Sequence, residues 1–204
     1  MKTNIKIFIV ILFAGIISGC SIYKTVMNVS RLKYRLSSVS DITVSGVQIA
    51  GKNRVSDFSI KDGMNLTQSF SRGSFPISFT LNIAAVNPND GTGGYARTDA
   101  TIKSFPYRLL IDNKEVLTGN ISSPISVPGT GESTNIPLSI SFDLFRTFRD
   151  KGYEGILNLA MNIAGLGTKP TTVQLYVKPT INTVIGDLTP PSEIKVVEQE
   201  FSSR

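Results

Sequence analysis

The spacing of apolar positions changes several times along this chain, and each change marks a different kind of element. Behind Lys2 and Lys6, Ile5 to Ile17 is an almost unbroken apolar run. Such a run is shorter than the roughly 20 residues a membrane-spanning helix needs, and it fits the apolar core of a secretory signal. Over residues 21–40, Ile22, Val26, Val29, Leu36 and Val39 recur mostly at three- and four-residue spacing. Lys24, Arg31 and Arg35 lie opposite them, and Lys33 falls on the apolar side. This predicts a tether, helical in part, that lies on a membrane or packs on the domain that follows.

From Asp41 the period becomes two. Ile42 to Ile49 alternates, Gly51-Lys52-Asn53 turns, and Val55 to Ile60 alternates again, which predicts a β-hairpin. Phe75 to Asn87 is the clearest strand, with Ile77, Phe79, Leu81 and Ile83 on one side and Ser78, Thr80 and Asn82 on the other. Pro88 has no N–H to give a ladder and ends it. Residues 89–94 make a long turn, and strands are expected at 98–111, 114–122 and 133–142. Tight turns separate them at Asp112-Asn113-Lys114 and at Pro128-Gly129-Thr130-Gly131.

One stretch reads as helix. Asp143 caps a turn carrying Leu144, Phe145 and Phe148 that closes at Gly152, and then Ile156, Leu159, Ala160 and Ile163 share a face until Gly165, Gly167 and Pro170 stop it. Strands return at 172–178 and 181–187, and 193–201 is an edge strand or a tail. The fold class expected is mainly β, an antiparallel sandwich with one or two short helices inserted before the last strands.

Chemistry enters at Cys20, the only cysteine of the chain. It follows Ile17-Ser18-Gly19, an aliphatic residue and two small ones, at the end of the apolar run. That tetrapeptide resembles the lipobox of bacterial lipoprotein precursors, in which the thiol takes a diacylglycerol, a peptidase cuts before the cysteine and the freed amine is acylated. Each buried CH₂ contributes about 0.8 kcal/mol, so two or three chains on one residue hold a protein durably. Removing 19 of 204 residues leaves 185, enough for one domain with a sizeable core. The expected organisation is a signal peptide over 1–19, a lipidated anchor and tether over 20–40, a β-sandwich over 41–188 and an edge strand or tail over 189–204.

Charge sharpens this picture. Of 21 Lys+Arg, two leave with the signal peptide and four (Lys24, Arg31, Lys33, Arg35) belong to the tether, so the chain from Asp41 onward carries 15 against 15 Asp+Glu. The formal +6 is thus a basic collar beside the anchor, suited to anionic headgroups at about 1 kcal/mol per residue near the surface. No basic face suited to nucleic acid remains. The chain has no histidine, which excludes Ser-His-Asp and Cys-His nucleophiles, His-ligated zinc and imidazole acid–base chemistry.

The long strand ending in Asn87-Pro88-Asn89 is followed by Tyr107 to Gly119 and then by Pro128-Gly129-Thr130-Gly131-Glu132-Ser133 leading into Ile136-Pro137-Leu138. In that order the three blocks resemble the late-embryogenesis-abundant (LEA) type 2 family, also called the water-stress and hypersensitive-response (WHy) domain, over roughly residues 60–180. The resemblance implies a sandwich like fibronectin type III domains and a link to desiccation or envelope stress without known catalysis. It gives Asn87, Pro88, Asn89 and Gly119 a structural role. Other constellations are weaker. Asp90 with Asn87, Asn89 and Asp99 is a calcium candidate without EF-hand spacing. The glycines at 91–94 lack the Gly-Lys-Ser/Thr of a phosphate loop, and Asp112 and Glu115 flank an ordinary hairpin turn.

The sequence therefore leads to a membrane-anchored, non-enzymatic envelope lipoprotein without cofactor or metal. Cys20 carries the lipid, Lys24, Arg31, Lys33 and Arg35 touch the membrane surface, and the outer membrane, facing the periplasm, is the expected location. The alternative is a dedicated subunit of an envelope transport or surface-assembly complex, with an envelope protein as partner.

Overall fold

A computed structural model describes residues 31–49, 51–52, 55–92, 96–167, 171–183 and 186–201. Cys20, Lys24, the expected signal segment and most of the expected tether lie outside these residues.

Twelve strands are described. The first layer contains β1 (Lys33–Val44), β2 (Val47–Gln48), β3 (Pro76–Val86) and β8 (Ser133–Asp143), in the antiparallel order β2-β1-β3-β8. The second contains two antiparallel sheets. One holds β4 (Ala100–Ser104), β7 (Ile125–Val127), β10 (Thr180–Thr183) and β11 (Gly186–Leu188) in the order β11-β10-β4-β7. The other holds β5 (Tyr107–Ile111), β6 (Lys114–Gly119), β9 (Thr171–Val177) and β12 (Ile194–Phe201) in the order β12-β9-β5-β6. Prolines mark the break between these two sheets. Pro106 interrupts the expected 98–111 strand and Pro179 interrupts its partner, and the Lys178 N–H donates to the Pro106 carbonyl at 2.9 Å to bridge the break.

Alternation along β3 and β8 aims Ile77, Phe79, Leu81, Ile83, Ile136, Leu138 and Ile140 inward, all 4% exposed or less. They join Ile102, Leu109, Ile111, Leu175 and Val177 of the second layer in a single core. Between the layers the Tyr34 ring meets Phe105 edge-on, centroids 5.4 Å apart. The expected class, mainly β and antiparallel with a helix before the last strands, is what the chain adopts.

Helix α1 (Ile60–Ser71), helix α2 (Leu144–Phe148) and helix α3 (Gly152–Ile163) lie at the end of the sandwich where β3 begins and β8 finishes. As expected, Asp143 caps α2: its Oδ1 accepts from the Phe145 N–H at 2.9 Å. The buried face of α3 includes Ile156, Leu159, Ala160 and Ile163. Phe70 of α1 packs edge-on against Phe145 of α2 and Tyr153 of α3, at 5.2 and 5.1 Å.

Three expectations are corrected. The hairpin over 42–60 does not form as read: Val55–Asp57 is a 3-10 turn and α1 begins at Ile60, while the hairpin partner of β1 is β2, joined through Ser45 and Gly46 at φ 49° and 78°. A capping box starts α1, the Asp62 N–H reaching Ser59 Oγ at 3.1 Å and the Ser59 N–H reaching Asp62 Oδ2 at 2.9 Å. Ser59-Ile60-Lys61-Asp62 was the legible signal. Second, residues 33–40, read as tether, belong to strand β1 and pair with β3. Register shifts between Leu36 and Ser38 and between Ser40 and Thr43 insert extra residues, with Asp41 at φ 56°. These bulges stretch the inward-facing spacing to Leu36, Val39 and Ile42, which imitates a helical period. Third, the 181–187 strand is two, β10 pairing back on β11. The 193–201 segment is the edge strand β12, with Val197 buried at 3%.

Candidate functional site

At the other end of the sandwich, β3 runs out into Asn87-Pro88-Asn89. Leaving a strand, the chain has backbone groups to satisfy, and Asn87, fully buried, satisfies several at once. Its Nδ2 donates to the carbonyls of Thr98 at 2.8 Å and Val127 at 3.0 Å. Its Oδ1 accepts from Asn89 Nδ2 at 2.8 Å and from the Asn89 N–H at 3.2 Å. The backbone continues the pattern, the Gly131 N–H donating to the Asn87 carbonyl and the Thr98 N–H to the Asn89 carbonyl. Pro88 fixes the turn between the two amides. This clasp ties the end of β3 to the segment leading into β4, to the last residue of β7 and to the turn after it.

Two glycines are required by close approach. A Cβ on Gly129 would lie 2.5 Å from the Asn89 carbonyl and 2.7 Å from that of Thr98, backbone atoms that cannot swing away. The Gly129 N–H donates to Asp99 Oδ1 at 2.8 Å. Gly119 lies under the ring of Tyr107, its cross-strand partner, and a Cβ there would overlap the phenol. Asn87 and Asn89 thus bond neighbouring backbone and each other, Pro88 shapes the turn between them, and Gly119 makes room for the Tyr107 ring.

The collar residues divide. Arg31 reaches into the clasp, Nη1 donating to Asn89 Oδ1 at 3.0 Å. Lys33 and Arg35 are exposed on the outer side of β1, opposite Val86 and Ala84. The structure therefore brings Arg31 to Asn87, Pro88 and Asn89, a meeting that the sequence did not foretell, and it leaves Lys33 and Arg35 at the same end. Gly119 stands apart on β6.

The other candidate residues of the sequence bond within their own turns and strands. Asp90 Oδ1 accepts from the Thr92 hydroxyl at 2.7 Å and its N–H at 2.9 Å, bonds that hold its carboxyl below the usual range. With Asn87 and Asn89 turned to each other and to backbone, their oxygens do not converge with Asp90 and Asp99 as calcium ligands. Among the described residues no group of three or more His, Cys, Asp or Glu comes together. Asp112 and Asn113, at φ 48° and 63°, form the primed turn between β5 and β6. Asp112 Oδ1 accepts from the Thr172 N–H, and Glu115 pairs with Arg108 at 3.8 Å, so the two carboxylates face different partners. Burial pushes the Tyr34 phenol up and keeps it neutral. A shallow groove of ≈ 680 Å³ along α1, lined by Lys61, Met64, Asn65 and Gln68 among others, has no carboxylate on its wall.

No protein-family model and no curated protein matches the chain. Among solved structures, a protein from Archaeoglobus fulgidus is 15% identical over 83% of this chain and 98% of its own, with a TM-score of 0.41. A putative late embryogenesis abundant protein, At2g46140.1, is 15% identical over 96% and 88%, with a TM-score of 0.42. The Arabidopsis thaliana protein AT1g01470 is 16% identical over 63% and 72%, at 0.36. The likeness to LEA-type proteins is one of mainly β fold, and the functional reading rests on the chain's own residues.

Proposed function

We propose that the chain is a lipid-anchored, non-catalytic β-sandwich of the bacterial cell envelope. Diacylglycerol and N-acyl chains on Cys20 hold it to the outer membrane, facing the periplasm, and it acts by surface contact in a stress-protective, desiccation-type role. The observation that carries this reading is the position of the sole cysteine directly after Ile17-Ser18-Gly19 and the apolar run. The folded domain supports it from the other side. The polar groups of its clasp, caps and turns bond one another and backbone, and its first strand starts at Lys33, so that a short tether separates fold from lipid. The stress role rests on the three LEA type 2-like blocks, of which Asn87 and Gly129 are now accounted for by packing.

Labelled palmitate should enter the wild-type chain, and Cys20→Ala should abolish incorporation and accumulate unprocessed precursor. A processed, membrane-bound Cys20→Ala protein overturns lipidation.

One observation favours the alternative of a dedicated subunit in an envelope complex. Ile60 and Met64 on α1 are 87% and 67% exposed, more than any other large apolar side chains among the described residues. Crosslinking in membranes separates the two: one stoichiometric protein partner selects the subunit reading, and its absence the stress-protective one.

A further inference from the structure

Resting on the anchored reading above, we infer that the Asn87 end of the sandwich faces the lipid headgroups, with Arg31 as the positioning residue that keeps it there. The domain then stands end-on, with its three helices outermost.

The register fixes the geometry. β1 is antiparallel to β3, and Lys33 pairs with Val86 while Val44 pairs with Ile77. The chain therefore enters the fold beside Asn87, at the end away from the helices. From Cys20 to Arg31 the tether has 11 residues, which span at most ~40 Å fully extended. The 11 residues of β3 put the helical end ~35 Å further from that point. The helical end meets the bilayer only if the tether turns back along the whole sandwich. Arg31 opposes such a turn. Its bond to Asn89 ties the end of the tether into a clasp whose two asparagines are 2% exposed or less.

Charge and exposure agree with this orientation. At the Asn87 end Lys33 and Arg35 are exposed, while Asp90 bonds Thr92 and Asp99 bonds the Gly129 N–H and lies 3.8 Å from Arg97. Cations are thus offered outward where two of the carboxylates are engaged, which suits anionic headgroups. Beyond Lys33 and Arg35, which sit at the Asn87 end of it, the paired rows of the first layer's outer face offer no further cation to hold it flat on such a surface. Cross-strand rows there read Ser38-Asn82-Pro137, Ser40-Thr80-Ser139 and Thr43-Ser78-Ser141, without a charge.

The chain has no tryptophan, so a single introduced one reports depth. Lipidated protein carrying Glu132→Trp (Asn87 end), Ser139→Trp (outer face) or Met64→Trp (helical end) is reconstituted in phosphatidylethanolamine–phosphatidylglycerol vesicles containing brominated lipid. Glu132→Trp should lose most of its emission, and the other two should keep theirs. Quenching of Ser139→Trp to the same extent means a domain lying flat, and quenching of Met64→Trp means a helix-first domain; either overturns the orientation. Adding Arg31→Ala should leave vesicle flotation intact while quenching spreads to Ser139→Trp. An unchanged pattern removes Arg31 from the positioning role. Failure of the parent protein to float refutes the anchor itself, whereas flotation with a wrong pattern refutes the orientation alone.

Discussion

The two ends of the sandwich are closed by different physics. At one end, amide groups of Asn87 and Asn89 bond backbone carbonyls and each other in a site where Gly129 leaves no room for a methyl group. At the other, the rings of Phe70, Phe145 and Tyr153 meet edge-on, and a carboxylate, Asp143, gathers the chain ends beneath them. The polar clasp depends on donors and acceptors at fixed positions, and an unmet buried group costs its full desolvation. The aromatic cap depends on area and shape, which other apolar side chains supply in part. Only the clasp holds the segment that leads to the anchor, so the less adaptable end is the one proposed to bear the tether.

The largest effect should come from breaking the clasp. Asn87→Ala leaves the Thr98 and Val127 carbonyls without that donor and both Asn89 donors without that acceptor, and about 3 kcal/mol of stability should be lost. Asn87→Gln should be nearly as harmful, because the longer side chain displaces every bond. Urea unfolding of the detergent-solubilised chain, followed by circular dichroism, measures both; a loss below about 1 kcal/mol for either would show that water replaces the amide.

The aromatic cap should be softer. Phe70 is partly buried and makes two edge-on ring contacts, so Phe70→Ala should cost about 2 kcal/mol and Phe70→Leu less than about 1. If Leu proves as costly as Ala, ring geometry matters more than area and the contrast between the ends narrows.

The smallest effect separates the ends by pH. Burial alone would raise the Asp143 carboxyl, but the Phe75 N–H, the Ser74 hydroxyl and the N–H groups of Phe145 and Arg146 together hold it below the usual carboxylate range. A depressed folded pKa adds stability that is present above the unfolded value of about 4 and lost as pH falls through the folded one. Asp143→Asn keeps an oxygen for the Phe75 and Phe145 N–H groups, which both reach Oδ1. It should cost about 1 kcal/mol at pH 6 and remove part of the loss on acidification. Urea midpoints for both proteins at pH 6 and pH 3 check this; equal acid sensitivity would assign the loss to other carboxylates.

Much of the second half of the chain was legible. The turns at Asp112-Asn113 and Pro128-Gly129, the cap at Asp143 and the buried face of α3 follow local rules that tertiary contacts did not override. From Ile77 to Ile83 in β3 and from Leu138 to Ile140 in β8 inward apolar residues alternate with polar ones, so those strands and their buried face were readable together, β3 being the exception in the first half. The first half was less so. Bulges in β1 turned a period of two into something like a helical spacing, and α1 carries few apolar residues, only Leu66 of them buried. Its start was written in Ser59 and Asp62, whose box competes with the alternation of Val55 to Ile60.

For the candidate site the division is similar. By itself the sequence determined the proposed chemistry: a lone cysteine after small residues, a basic collar and no histidine need no fold to be read. It also marked Asn87, Pro88, Asn89 and Gly119 as positions with a role. Tertiary structure alone decided what that role is and where Arg31 goes. Arg31 and Asn89 are 58 residues apart, and an antiparallel register is what carries them to one end of the molecule. Local propensity describes single elements, whereas the meeting of distant residues depends on which strands pair and in what register.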